Sequence, residues 1–221
     1  AQGGCDLIEI GIPFSDPIAE GPVIQEANLR SLAQGTTTDK VFELTKKLSG
    51  RVDTPLVYMT YLNVLFKYGY DKFLQNAKDA GISGVIVPDL PYEEKDELQS
   101  VAEKYDIDVI SLIAPTSEDR IKMIASDAKG FIYTVSSMGV TGMRNEIKTD
   151  LQSIVSHIKS VTDVPVAIGF GINKPQQAKE FSAYADGVIV GSAIVNIVAE
   201  HGKDAPEYVF DYVKSMKDAI R

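Results

Sequence analysis

Three carboxylates lie close together near the start of the chain and could carry acid–base chemistry. Glu9 lies within the apolar run from Leu7 to Ile12, whereas Asp16 and Glu20 follow in a stretch rich in proline and glycine. The run is too short for a helix and is rich in β-branched residues, so it predicts a buried strand followed by a loop. A buried carboxylate needs a partner or has a raised pKa, so Glu9 is either a structural acceptor for neighbouring amides or a catalytic acid or base.

Glycines near the end of the chain could bind a phosphate group. A predicted strand ending at Gly169 is followed by Phe170 and Gly171, and another is followed by a helix that begins near Gly191 and Ser192. Glycine lets backbone amides approach an anion closely, and a helix N-terminus supplies unpaired N–H groups. The alternative is that these are ordinary turn glycines.

Further candidate side chains follow other predicted strands. Tyr61 and Asp89 end the second and third strands, and Tyr133 lies inside the fifth. Each could contact a ligand, although Tyr133 could also be a core tyrosine and Asp89 could cap a turn. The long loop SSMGVTGMRNE, which contains Thr141 and Gly142, is typical of an active-site lid or of a tolerated surface insertion.

Seven predicted strands, followed by helical patterns, position these residues. The strands are predicted at 7–12, 55–61, 84–89, 108–114, 131–136, 165–169 and 187–191, and the helical patterns at 23–48 with a break at 36–39, 71–80, 93–105, from 117, 150–161, 175–184, from 192, and 205–220.

Strands that are apolar throughout and alternate with helices predict a parallel sheet with a covered face. We therefore expect an α/β fold, a (β/α)₈ TIM barrel with the first strand–helix unit apparently missing from this chain, as a single domain over residues 1–221. The alternative is a doubly wound open sheet, which would carry a glycine-rich fingerprint after its first strand. No such fingerprint is present. In a barrel, the loops after the strands carry the chemistry, and the last two bind phosphate.

Composition narrows the class of partner. The net charge of −9 and the absence of Lys/Arg blocks argue against nucleic acid or an anionic membrane as partners. A single cysteine, Cys5, excludes an intrachain disulfide and predicts a reducing, cytoplasmic location. Two histidines and one cysteine argue against a transition-metal site, and from this sequence we expect neither a signal peptide nor a membrane span.

Several blocks resemble one known family. The blocks, in chain order, are IEIGIPFSDPIAEGPVIQEANLRSLAQG, VPDLPYEE, FIYTVSSMGVTG, IGFGI and ADGVIVGSAIV. Together they resemble the α subunit of tryptophan synthase, in the same order and over essentially the whole chain. The resemblance implies a lyase of tryptophan biosynthesis that cleaves indole-3-glycerol phosphate to indole and glyceraldehyde 3-phosphate. It also implies a β-subunit partner in an α2β2 heterotetramer, with pyridoxal phosphate in the β subunit and no cofactor in this chain. The family begins with a further strand and helix, for which this sequence shows no counterpart.

The resemblance also assigns roles to residues. Glu9 matches the catalytic glutamate, which moves protons at indole C3 and at the glycerol hydroxyl. Glu20 matches the second acid, which bonds the indole N–H, but the family has aspartate there. We expect this departure to weaken activity, so that Glu20→Asp raises kcat. The predicted substrate-binding residues form three groups. Tyr61 and Tyr133 belong to predicted strands, Thr141 and Gly142 to the lid, and Phe170, Gly171, Gly191 and Ser192 to the phosphate site.

Two other functions remain open at this point. A catalytically weakened or silent α-type subunit would bind and activate a β partner, and the glutamate at position 20 is the one feature in its favour. Another phosphate-binding barrel enzyme, such as an isomerase or decarboxylase, would carry a lysine or histidine at a strand end. No predicted strand has one.

Overall fold

The computed structural model describes residues 1–135, 151–169 and 171–220. Contacts within the chain separate two units. The first unit is formed by Ala1 and Cys5–Ile110, and the second by Gln2–Gly4 and the described part of Ser111–Arg221. The single domain expected over residues 1–221 remains a prediction, and the two units are described in turn.

The first unit is built on a parallel sheet with the strand order β1-β2-β3-β4. Each strand except the last is followed by one or two helices that return the chain to the start of the next strand. The elements are β1 (Ile8–Gly11), α1 (Pro22–Ala33), α2 (Thr38–Ser49), β2 (Leu56–Met59), α3 (Leu62–Tyr68), α4 (Tyr70–Asp79), β3 (Ile82–Ile86), α5 (Lys95–Ala102) and β4 (Asp108–Val109).

The two faces of this sheet differ in character. Successive residues of a strand point to opposite faces. Tyr58 and Val85 belong to the hydrophobic core cluster of this unit, and Ile8 and Ile10 pack against it. Glu9 lies between these two isoleucines and therefore points to the opposite face of the sheet, in register with Val57 of β2.

The second unit is built on another parallel sheet, with the order β5-β6-β7-β8. Its elements are β5 (Ser111–Ile113), α6 (Glu118–Ser126), β6 (Ile132–Val135), α7 (Leu151–Lys159), β7 (Val166–Gly169), α8 (Pro175–Phe181), β8 (Gly187–Val188), α9 (Ser192–His201) and α10 (Ala205–Ala219).

The structure has strands at all seven predicted places, with one difference. The fourth predicted strand forms two short pieces, of which β4 pairs with β3 and β5 pairs with β6. Ile110 lies between them and donates its N–H to the carbonyl of Val85 at 2.9 Å. The predicted helix breaks are also present, since the side chains of Thr37 and Ser117 cap the helices that begin after them.

One helix was not expected. The short helix α3 begins at Leu62, shortly after β2, in the interval between the strand predicted at 55–61 and the helix predicted at 71–80. In the part of the chain that the structure describes, no helix is both long and apolar enough to cross a membrane.

Candidate active site

Glu9 is a partly buried carboxylate in the middle of β1. Burial, followed by the negative charge of Glu20, raises the pKa of Glu9 from 4.5 to about 7. None of the described residues donates a hydrogen bond to its carboxylate or forms an ion pair with it. This environment disfavours the structural alternative, because a structural acceptor would be held by neighbouring amides.

Glu20 lies in the acid loop, which we define as residues 12–21 between β1 and α1. Its carboxylate oxygen Oε2 accepts a hydrogen bond of 2.8 Å from Nδ2 of Asn28, and its backbone carbonyl accepts one of 2.7 Å from Nε2 of Gln25. Burial raises the pKa of Glu20, and the bond from Asn28 opposes this rise. The helix that follows the acid loop therefore holds this carboxylate.

Tyr61 contacts both ends of the acid loop. Its hydroxyl accepts a hydrogen bond of 3.0 Å from the backbone N–H of Ala19, the residue before Glu20. Its ring packs against that of Phe14, with 5.3 Å between the ring centroids. Only 2% of Tyr61 is exposed. Tyr61, which was predicted to bind substrate, therefore lies beside the acid loop, and its hydroxyl is hydrogen-bonded to the backbone of that loop.

Asp89 holds the helix that follows Tyr61. Its Oδ1 accepts a hydrogen bond of 2.8 Å from the N–H of Leu62, the first residue of α3. This amide would otherwise be one of the unpaired groups at a helix start. Asp89 thus caps a helix 27 residues earlier in the chain rather than the turn that follows it.

Tyr133 lies in β6, in the second unit, and is 7% exposed. A side chain on Gly169 of β7 would meet its ring, because an ideal Cβ there would lie 2.5 Å from the Tyr133 hydroxyl. The glycine therefore provides the space in which the tyrosine ring lies.

Three residues of the predicted phosphate site lie at one end of the second sheet. Gly171 and Gly191 each lie three residues beyond the register pair Ile168–Val188, and Ser192 begins α9. Gly171 has φ +81°, which favours glycine, and an added Cβ at either glycine would meet no atom of the described residues within 4 Å. Exposed backbone and the start of a ten-residue helix fit the binding of an anion.

The structure brings Glu9, Glu20 and Tyr61 together in the first unit, and Tyr133 lies in the second unit with the three residues of the phosphate site. The predicted residues Thr141, Gly142 and Phe170 lie outside the described residues. Within the described residues, no group of three or more His, Cys, Asp or Glu side chains could hold a metal ion.

A family model, the tryptophan synthase alpha chain, matches residues 1–221. The chain belongs to the tryptophan synthase alpha chain family. The alpha chain of Lacticaseibacillus casei is 50% identical over 220 residues, which are 100% of this chain and 83% of that relative.

Solved structures agree with this family. A structure from Aquifex aeolicus VF5 has a TM-score of 0.90 and 39% identity and covers 100% of this chain and 84% of that one. A structure of the tryptophan synthase α2β2 complex from Pyrococcus furiosus has a TM-score of 0.85 and 36% identity, over 96% of this chain and 86% of that one. The prediction of a TIM-barrel fold class is confirmed by these relatives.

Two residues around the site are not among the candidates that the sequence indicates. Asn28 lies in a helical pattern, where a polar side chain does not by itself indicate a functional site. Gly169 marks only the end of a predicted strand. A signal for Gly169 was present, because a glycine inside a strand often marks a close approach by another group.

Proposed function

We propose that this chain catalyses the α reaction of tryptophan synthase, the retro-aldol cleavage of indole-3-glycerol phosphate to indole and glyceraldehyde 3-phosphate in tryptophan biosynthesis. Family membership supports the reaction, and one observation carries its assignment to particular residues. Glu9, with a pKa of about 7, lies near a second acid, Glu20, whose charge contributes to that value. A pKa near the working pH suits a group that must both give and take a proton.

The reaction requires two proton movements, and Glu9 can carry both. Protonated Glu9 gives its proton to C3 of the indole ring, and the ring nitrogen then bears a positive charge. The resulting carboxylate takes the proton of the glycerol hydroxyl next to C3. The bond between C3 and the glycerol carbon that bears this hydroxyl breaks. Its electron pair returns to the ring, and the glycerol carbon becomes the aldehyde. Glu9 ends protonated, as it began.

The second acid has an electrostatic role in this scheme. A carboxylate at the indole N–H stabilises the positive charge that develops on the ring after protonation at C3, provided it is fixed in place beforehand. Glu20 supplies this group, and its bond from Asn28 favours the ionised form.

The remaining residues bind and enclose the substrate. Gly171, Gly191 and Ser192 hold its phosphate through backbone N–H groups, and Phe170 belongs to the same predicted binding set. Tyr133 contacts the substrate, and Thr141 and Gly142 belong to the lid. The exposure of Gly171 and Gly191, and the free space that an added Cβ would find there among the described residues, support the phosphate role.

The chain acts with a β subunit in an α2β2 assembly. The α2β2 complex of Pyrococcus furiosus, described as mutually activated, supports this partner. We place no cofactor in this chain, since pyridoxal phosphate belongs to the β subunit, and we place the enzyme in the cytoplasm.

The test is indole release from indole-3-glycerol phosphate by the purified chain, with and without the β subunit. The chain should release indole alone and faster with the partner, and Glu9→Gln should lower kcat by about 10²- to 10⁴-fold. Activation of the β subunit without indole release would instead identify a silent α-type subunit. Failure in both measurements would overturn the proposed function.

A further inference from the structure

Glu20 is held at two levels, by its side chain and by the backbone next to it. Asn28 binds the carboxylate from α1, and Tyr61 binds the N–H of the preceding residue, Ala19. Neither residue is an acid or a base at neutral pH. Their contacts therefore concern where Glu20 lies rather than proton transfer itself.

The contact with Asn28 fixes the end of a long side chain. Glutamate has one more rotatable bond than aspartate, so its carboxylate is harder to hold in one place. The amide Nδ2 of Asn28 donates to Oε2 at 2.8 Å and restricts this freedom. The same contact favours the ionised carboxylate, whereas burial opposes it.

The contacts with Tyr61 fix the backbone of the acid loop. Tyr61 is almost fully buried, and its ring and hydroxyl contact the acid loop at Phe14 and Ala19 respectively. The chain beyond Tyr61 is held in turn, because Asp89 bonds the N–H of Leu62. A loop carrying an acid is thereby tied to the ordered ends of β2 and β3.

We propose that Asn28 and Tyr61 are positioning residues for the α reaction, which act through Glu20 by fixing its carboxylate and its backbone respectively. The inference rests on the proposed function, in which Glu20 faces the indole N–H. It gives Tyr61 a role through the acid loop rather than through direct contact with substrate.

The kinetic test compares Asn28→Ala and Tyr61→Phe in two backgrounds, the parent chain and Glu20→Ala, each assembled with the β subunit. Tyr61→Phe removes only the hydroxyl. Each variant should lower kcat about tenfold in the parent with little change in KM, because loose positioning affects the transition state. Neither should lower it further in the Glu20→Ala background, since residues that act through one group are not additive.

Matched controls exist in the same unit. Gln75→Ala removes another amide-to-carboxylate bond, from Gln75 to Asp79 on α4. Tyr68→Phe removes another tyrosine hydroxyl, which donates to the carboxylate of Asp39 and not to the acid loop. Both should leave kcat unchanged. Losses of equal size in the Glu20→Ala background would overturn the inference, as would a rise in KM alone for Tyr61→Phe, which indicates direct contact with substrate.

A measurement without substrate separates this inference from the proposed function. The pKa of Glu20 can be followed by NMR of ¹³C-carboxyl-labelled glutamate, with the signal assigned by its loss in Glu20→Gln. Asn28→Ala should raise this pKa, whereas Gln75→Ala should not. Among the described residues, Glu9 on β1, Asp16 in the loop itself and Asp89 after β3 also carry carboxyl groups in this region.

The two failures then differ. If the parent releases indole but Asn28→Ala changes neither kcat nor the pKa of Glu20, the inference is wrong and the proposed function stands. If the parent releases no indole, the proposed function fails together with the catalytic part of the inference, even where the pKa still rises.

Discussion

The ring of Tyr133 occupies the space that a side chain at Gly169 would need. Atoms Cε1 and Oη of the tyrosine lie 2.5 Å from the position of an ideal Cβ at the glycine. These two residues lie on neighbouring strands, β6 and β7, with Tyr133 two residues before the partner of Gly169 in the register. The glycine is therefore part of what sets the position of the tyrosine.

Gly169→Ala should displace the Tyr133 ring and destabilise the protein by about 1–3 kcal/mol, the usual cost of overpacking. The loss should largely disappear in a Tyr133→Ala background, and urea unfolding of the four proteins measures this coupling. Gly187→Ala on β8 is the control, because its Cβ would lie at an ordinary 3.9 Å from Ala167. An undiminished loss in the Tyr133→Ala background would show that another contact is responsible.

The raised pKa of Glu9 makes stability depend on pH. The folded state holds the proton up to about pH 7, whereas the unfolded state releases it near 4.5, the ordinary pKa of a glutamate. Stability should therefore fall as pH rises between these values. Glu9→Gln removes this effect and should gain stability over the parent by roughly 2 kcal/mol between pH 5 and pH 8, a size that follows from 1.36 kcal/mol per pKa unit. The free energy of unfolding is measured by urea unfolding at each pH. A constant difference between parent and variant over this range would contradict the raised pKa.

Gly191→Ala separates a binding defect from a folding defect. Its φ of −106° suits any residue, and an added Cβ would meet no atom within 4 Å in the part of the chain that the structure describes. The melting temperature should therefore stay unchanged, while KM for indole-3-glycerol phosphate should rise at least tenfold if the phosphate binds against this backbone. Gly171→Ala, by contrast, should lower the melting temperature in addition to raising KM, because alanine is strained at φ +81°. An unchanged KM in Gly191→Ala would remove this glycine from the phosphate site.

Glu20→Asp tests how this chain accommodates its longer acid. The sequence alone predicts a rise in kcat, but the observed bond to Asn28 favours a fall. The carboxylate would retract by about 1.5 Å, one C–C bond, and lose a contact that measures 2.8 Å in the structure. We expect kcat for indole release to fall, by up to about 100-fold. A higher kcat would show that the aspartate of the family fits this loop better.

The exposed side of the acid loop should serve the β subunit. Ile18 is 73% exposed although it lies next to the residue that Tyr61 binds. Ile18→Ser should weaken activation by the β subunit severalfold and leave the indole release of the isolated chain unchanged. Leu44→Ser, at a leucine of α2 that is 54% exposed, is the control. Equal losses with and without the partner would indicate a local folding defect instead.

Local signals explain which elements were predictable. Thr37 and Ser117 begin helices by binding an N–H three residues later, so their effect is visible in a short window of sequence. Helix α3 has no such cap: its first amide is bonded by Asp89, which lies 27 residues away. Seven residues without a local start signal do not predict a helix.

The same distinction holds at the candidate site. Glu9 stands out in the sequence because a charge inside an apolar run is unusual. The contact from Asn28 to Glu20 depends on the path of the acid loop, and the contact between Tyr133 and Gly169 depends on strand register. Both arise only when separate segments of the chain are folded together.

The two faces of the first sheet suggest a strategy for altering substrate range. Leu56 and Tyr58 belong to the hydrophobic cluster, whereas Val57 and Met59 point to the face that carries Glu9. A combinatorial library that varies Val57 and Met59 while keeping Leu56 and Tyr58 would change the surroundings of Glu9. It would leave the hydrophobic core cluster on the other face of the sheet unchanged. Selection for new indole analogues could then proceed with few variants lost to misfolding.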